Sequence, residues 1–328
     1  YYHASYWGRP HDYLWLSTNH PALIYTQMKE AYNRGVKDIW VLNVGDIKPA
    51  EFTIELFLDM AWDIQKIEDS KAGLDSYILA WYSREFGPHL GEELVAVANE
   101  YYRLAYIRKP EFMGNTRTEE KDLAYKKVKD LPWTESKIRR RIEDYDALER
   151  KVITLSAKVP AAKKDSWFQL VEYPVIASAA MNKKHLYGQL ARHGKESWER
   201  SDAAWEKIVS LTDHYDDMAN GKWRRMMNFK PRDLEVFHKL KRDTVAADFL
   251  TEIPHLKIIN GASYQYFHGT KPKEYGLGYE GAAIHLQKDD VVGYEYKEVN
   301  AAAKSVDLTF GHNHPFVGDQ LSLSGSIN

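Results

Sequence analysis

The stretch IWVLNVGDIKPAE, from Ile39 to Glu51, gathers an amide, two carboxylates and an ammonium group: Asn43, Asp46, Lys48 and Glu51. A buried amide needs several hydrogen-bond partners, so Asn43 at the end of an apolar run points to a polar site. Asp46 is either a catalytic carboxylate or a turn and helix-capping residue. Lys48 is either a ligand-binding cation, a solvated loop charge or a partner for Asp46, and Glu51 also suits the first turn of a following helix through its dipole. A second cluster, YYHASYWGRPHDYLW, sets Tyr1, Tyr2, Tyr6, Trp7, Tyr13 and Trp15 around His3, Arg9 and His11. Flat aromatic faces stack on pyranose rings while polar tips bond hydroxyls, and the planar guanidinium of Arg9 suits a carboxylate. Core packing competes for each of these aromatics, and His3 also reads as a satisfied buried histidine.

The elements that must position these groups follow from periodicity. Residues Tyr1 to about Trp7 read as a strand, and Gly, Pro and Asn punctuate the loop after it. Pro21 opens a helix whose apolar stripe is Ile24, Met28 and Ala31, with Gly35 as its stop. DIWVLNV is the next strand. Alternation puts Ile39, Val41 and Asn43 on one face and Trp40, Leu42 and Val44 on the other. Gly45 permits a tight turn and Pro49 stiffens the exit; Ile54, Leu58 and Ala61 mark a further helix.

Strand, helix, strand, helix with a long crossover implies parallel pairing. Two units cannot close a (β/α)8 barrel, and the chain opens within a strand, so the expectation is the C-terminal part of such a barrel over residues 1–72. In a barrel Ile39 and Val41 would fill the interior, Trp40 and Leu42 would pack beneath the helices, and Asn43 would sit at the carboxyl end, where barrel enzymes place their chemistry. Residues 73–250 read as a helical bundle punctuated by Pro88, Pro110, Pro132, Pro160 and Pro231, with Thr134 capping a helix that buries Ile138, Ile142 and Leu148. Residues 251–328 carry short β-rich runs and read as an incomplete β-sandwich-like domain. The fold class is therefore multidomain: α/β, then α, then β.

The 328 residues carry no cysteine and a formal net charge of −2. The redox compartment stays open, and the balance gives no electrostatic reason to expect nucleic acid. No apolar run approaches the ~20 residues that span a bilayer, so no membrane partner is expected.

The motifs YYHASYWGRPHDYLWLSTN, WVLNVGDIKPAEF and FLDMAWD, with NGKWRRMM at 220–227 and GLGYEGAAIHL at 276–286, resemble the end of the catalytic domain of glycoside hydrolase family 115, the helical bundle and the start of the β-domain. The family comprises xylan α-1,2-glucuronidases. The resemblance implies a barrel, a helical bundle and a β-sandwich that act outside the cytoplasm, periplasmic or secreted. They would remove (4-O-methyl)glucuronic acid side groups from glucuronoxylan or its oligosaccharides by inversion. No cofactor and no metal ligand is assigned. The resemblance places Tyr2, His3, Asn43, Asp46 and Lys48 at a uronate pocket; Asp46 and Asn43 are the catalytic candidates, and the chemistry of the aromatic cluster adds Trp7 and Arg9 to the substrate-binding ones. The family's earlier acidic residues have no counterpart in this sequence.

A non-catalytic carbohydrate-binding or scaffold protein is the alternative. GHNHPF pairs His312 with His314 without an evident third ligand, so a polar loop is its default reading. RRRIED reads as a solvated helix face. Trp198 and Trp205, seven apart on one helix face, suit either core packing or a homodimer contact.

Overall fold

The computed structural model describes residues 1–6, 13–116, 127–245, 249–251, 259–287 and 289–295. Trp7, Arg9, His11, His312, His314 and the run SVDLTF lie outside them. The protein is mostly helical. β1 (Tyr2–His3) pairs in parallel with β2 (Leu42–Asn43) across α1 (Pro21–Asn33), and α2 (Glu51–Trp62) follows. Then come α3 (Lys71–Phe86), α4 (Pro88–Ile107), α5 (Glu135–Ser156), the short α6 (Lys164–Trp167), α7 (Tyr173–Arg192) and α8 (Trp198–Gly221).

The parallel pair is the expected crossover in shortened form. His3 lies opposite Asn43 and Tyr2 opposite Leu42. The predicted strand faces divide as expected on one side only. Trp40 and Leu42 pack against the core beneath α2, the Trp40 ring lying 5.7 Å from Phe57. Ile39 and Val41 stay 76% and 44% exposed, because no element among the described residues covers their face. Two strands cannot close a barrel, so among the described residues there is one βαβ crossover and no barrel.

The predicted stripe of α2 is displaced around the helix. Phe52, Thr53, Leu56, Phe57 and Met60 are its buried residues, whereas Leu58 is 56% exposed and Ala61 is exposed. Both sides of this helix are apolar; the side with two phenylalanines removes more area from water when it packs on Trp81, Tyr82 and Tyr102.

α1 begins where proline at its first position directs it, with His20 as N-cap accepting a hydrogen bond from the Ala22 amide. α5 carries the predicted cap, Thr134 Oγ1 accepting from the Lys137 amide at 3.3 Å, and buries Ile138, Ile142 and Leu148 as expected. One continuous core runs from Ala22 to Ala179, so the helices after residue 72 pack into the same interior as α1 and α2.

After Pro254 the described residues form two small antiparallel ladders: β3 (Tyr266–His268) with β6 (Val291–Gly293), and β4 (Lys273–Glu274) with β5 (Ile284–His285). Strands are present as predicted, but two-residue and three-residue pairings fall short of a sandwich. Their inner faces have no second layer among the described residues; Tyr266, Phe267 and Val291 remain exposed.

Candidate functional site

His3 and Asn43 meet where the two parallel strands end. Gly45 turns the chain at φ 64° just beyond, and its amide donates to Asn43 Oδ1 at 3.3 Å. The opposite end of the Asn43 amide faces the Ser5 carbonyl at 3.4 Å and His3 Nδ1 at 2.9 Å. A donor on one side and a carbonyl on the other fix the orientation of the amide, so Nδ2 donates to His3 Nδ1. His3 is therefore the neutral tautomer protonated on Nε2, with that N–H as its remaining donor. Its ring stacks on Tyr6, with centroids 4.3 Å apart and planes at 16°, and meets the edge of Tyr1 at 4.8 Å.

Both Asn43 N–H groups are thus engaged within the protein. Asn43 acts as a bracket that joins the end of β1 to the Gly45 turn, which makes it a positioning residue for His3. Asn19 adds a second bracket: its Nδ2 donates to the His3 carbonyl at 3.3 Å. Tyr2 is separated from this pair. It shares the core side with Leu42, stacks 6.3 Å from Phe57, and its hydroxyl reaches Asn19 at 3.5 Å. Burial pushes the Tyr2 phenol up, partly offset by Asn19. Strand alternation explains why adjacent Tyr2 and His3 cannot both face the same pocket.

Lys48 pairs with Glu51, not with Asp46. Its Nζ lies 2.6 Å from Glu51 Oε1, with side-chain exposures of 13% and 25%, and 4.4 Å over the ring of Trp223. Glu51 Oε2 is buried with no hydrogen-bond partner among the described residues. The Glu51 carboxylate is close enough to push the Tyr215 phenol up, second to burial. Asp46 is exposed at the tip of the loop and makes no hydrogen bond or ion pair among the described residues. The loop therefore offers one free carboxylate beside a closed lysine–glutamate pair.

Three contributors escape periodicity. Ser5 and Asn19 are buried and lie inside the first quoted motif, where their small polar side chains were the available signal. Trp223 sits in NGKWRRMM and reaches Lys48 only through the tertiary fold. The helical region also holds the loop before α1: Glu111 Oε1 accepts from the amides of Leu14 and Trp15 at 2.9 and 3.2 Å, and the Tyr101 hydroxyl donates to the Ser17 carbonyl. Trp198 and Trp205 are occupied within the chain, against Gly188 and against Phe229 with Lys239, respectively. Among the described residues no group of three or more His, Cys, Asp or Glu is arranged to hold a metal ion. No helix among them is long and apolar enough to cross a membrane.

The family profile described as glycosyl hydrolase family 115 matches residues 1–112, the segment that contains β1, β2 and both brackets. The solved structure of BtGH115A, described as a family GH115 4-O-methyl-α-glucuronidase with specificity for decorated arabinogalactans, is 49% identical with a TM-score of 0.85. The similarity covers 89% of this chain and 38% of that one, so the chain spans well under half the length of this relative. No curated protein matches the chain. Sequence profile and superposable structure agree on the same kinship: the chain belongs to glycoside hydrolase family 115.

Proposed function

We propose that this chain contributes the His3–Asn43 end of a uronate pocket in an α-glucuronidase that releases glucuronic or 4-O-methylglucuronic acid from a decorated polysaccharide. The observation that carries the reading is the convergence of His3 and Asn43 at the carboxyl ends of two parallel strands, inside the segment matched by the family profile. Those ends are where (β/α)8 enzymes assemble their sites, and the β1–α1–β2 unit is assigned to such a barrel.

In this reading His3 Nε2–H donates to the uronate or a sugar hydroxyl, and the Tyr1 and Tyr6 rings border the sugar. Inverting hydrolysis needs one carboxyl to protonate the leaving oxygen and another to activate water, typically ~6.5–9.5 Å apart. Asp46 is assigned as one of them; its partner is assigned to the remainder of the family's length. Lys48, neutralised by Glu51, holds the loop instead of meeting the uronate. A polymeric substrate places the reaction outside the cytoplasm.

Two backbones compete. The xylan α-1,2 linkage follows from the resemblance of the motifs, whereas the specificity printed for BtGH115A favours decorated arabinogalactan. A protein spanning the full length of that relative, assayed for released uronic acid on glucuronoxylan and on decorated arabinogalactan, separates them. Release from neither, with binding to either, would instead establish the non-catalytic carbohydrate-binding reading.

A further inference from the structure

The motif NGKWRRMM, at 220–227, lies outside the segment matched by the family profile, yet one of its residues reaches the loop between Gly45 and α2. The Lys48 ammonium lies 4.4 Å over the ring of Trp223 and 2.6 Å from Glu51 Oε1. Trp223 is itself held from behind. It packs against the cluster that contains Trp15 and Phe237, and the Arg225 amide closes its turn on Asp216 Oδ1 at 2.9 Å. The Lys48–Glu51 pair ties the loop to the first residue of α2, and between the two the Ala50 amide donates to the Ile47 carbonyl at 2.8 Å. His3 and Asn43 are held by other groups: Ser5, Asn19 and the Gly45 amide. The strand ends and the Asp46 loop therefore rest on separate supports.

We propose that Trp223 is a positioning residue for Asp46, acting through the Lys48–Glu51 pair, and that it governs turnover without governing sugar binding. The proposal rests on the function proposed above, in which Asp46 is one of the two carboxyls and His3 meets the sugar. Asp46 makes no hydrogen bond or ion pair among the described residues, so the backbone of its loop sets its place. An ion pair in open water holds a loop weakly, whereas one shielded from water and covered by an aromatic face holds it firmly. The Lys48 and Glu51 side chains are only 13% and 25% exposed, and the indole supplies cover on the lysine side. Removing that face lets water reach the pair and frees the loop, while the Ser5 and Asn19 bonds at the strand ends stay as they are.

Hydrogen exchange in the 328-residue chain and steady-state kinetics of a protein spanning the relative's length test this, on wild type, Trp223→Leu, Trp223→Phe and the double variant Lys48→Met/Glu51→Gln. Trp223→Leu should speed exchange of the Ala50 amide by about fivefold or more. The Ala4 amide, which donates to the Asn43 carbonyl at 2.8 Å, should keep its rate. Turnover on the cleaved polysaccharide should fall by a similar factor with KM within about twofold of wild type. Trp223→Phe keeps a ring face and should recover most of both losses. Added to the double variant, Trp223→Leu should have no further effect on turnover; if Trp223→Leu does not fold, the double variant alone should show the faster Ala50 exchange with Ala4 unchanged. An unchanged Ala50 rate, equal acceleration at Ala50 and Ala4, or a raised KM with turnover intact would overturn the proposal. Turnover lost in Asp46→Asn but intact in Trp223→Leu would overturn it alone, whereas full turnover in Asp46→Asn would overturn the assignment of Asp46 on which it rests.

Discussion

Acidification should destabilise this protein through His20 in a defined window. His20 caps α1 with Nδ1 as acceptor, is 6% exposed, and has the Tyr102 and Tyr106 rings within 5.9 Å. Burial, reinforced by the charge of Lys71, lowers its pKa from 6.5 to about 4. Protonation would put a cation into an apolar site at the positive end of a helix and remove the acceptor of the cap. A base whose folded pKa is depressed binds fewer protons in the native state. Its stability contribution is therefore full above about pH 6.5 and is lost as the pH falls to about 4. The difference of about 2.5 units corresponds to about 3 kcal/mol at pH 4. His20→Asn keeps a favoured capping acceptor and removes the titration. Urea unfolding of both proteins from pH 7.5 to 4 should show the wild type losing about 3 kcal/mol more than the variant. Curves that stay parallel across that window, or a His20 imidazole signal titrating near 6.5, would refute the reasoning.

Asn43→Asp replaces the donor facing His3 Nδ1 by an acceptor, so ¹⁵N spectra should show the His3 proton moving from Nε2 to Nδ1; an unchanged tautomer would disprove the bracket. In a full-length protein, Asn43→Ala should lower turnover on the cleaved polysaccharide while leaving the protein folded, and undiminished turnover would sink the positioning role. Gly73→Ala should destabilise by about 1–3 kcal/mol, because its Cβ would lie 2.1 Å from the Glu68 carbonyl oxygen; a melting temperature within error of wild type would contradict that contact. The 328-residue chain alone should release uronic acid far more slowly than a protein spanning the relative's length, and equal rates would place both carboxyls within this chain.

What was legible in the sequence was whatever a single element decides by itself. The Pro21 helix start, the Thr134 cap and the buried stripe of α5 each depend on neighbours within a turn or two, and each appears where periodicity put it. The α2 face did not, because Ile54, Leu58 and Ala61 match the helical period as well as Phe52, Leu56 and Met60 do; Trp81 and Tyr82 from another helix decide between them. The same division governs the site. Asn43 was identifiable as an amide ending an apolar strand, but its partner depended on strand register, which set His3 opposite it and left Tyr2 on the other side. The partner of Lys48 was ambiguous in sequence, since Asp46 and Glu51 are both near; the first turn of α2 carries Glu51 back toward Lys48 while Asp46 points into solvent.

The placement of Trp223 shows why the strand-end loop is inseparable from the helical region. The last residues of α8 leave helical geometry through three successive left-handed positions, Ala219 at φ 50°, Asn220 at 56° and Gly221 at 76°. Glycine adopts that region freely and asparagine tolerates it, but alanine there costs about 1–2 kcal/mol. The turn is held by the Arg225 amide donating to Asp216 Oδ1 at 2.9 Å, and it lays Trp223 against the cluster containing Trp15 and Phe237. From there the indole covers the Lys48 ammonium, whose charge is otherwise met, among the described residues, only by Glu51. Shielding from water strengthens that ion pair, and the pair anchors the loop between Gly45 and α2. Asp46, at the exposed tip of the same loop, therefore takes its position from a strained turn at the far end of the helical region, although it makes no hydrogen bond or ion pair with that region among the described residues.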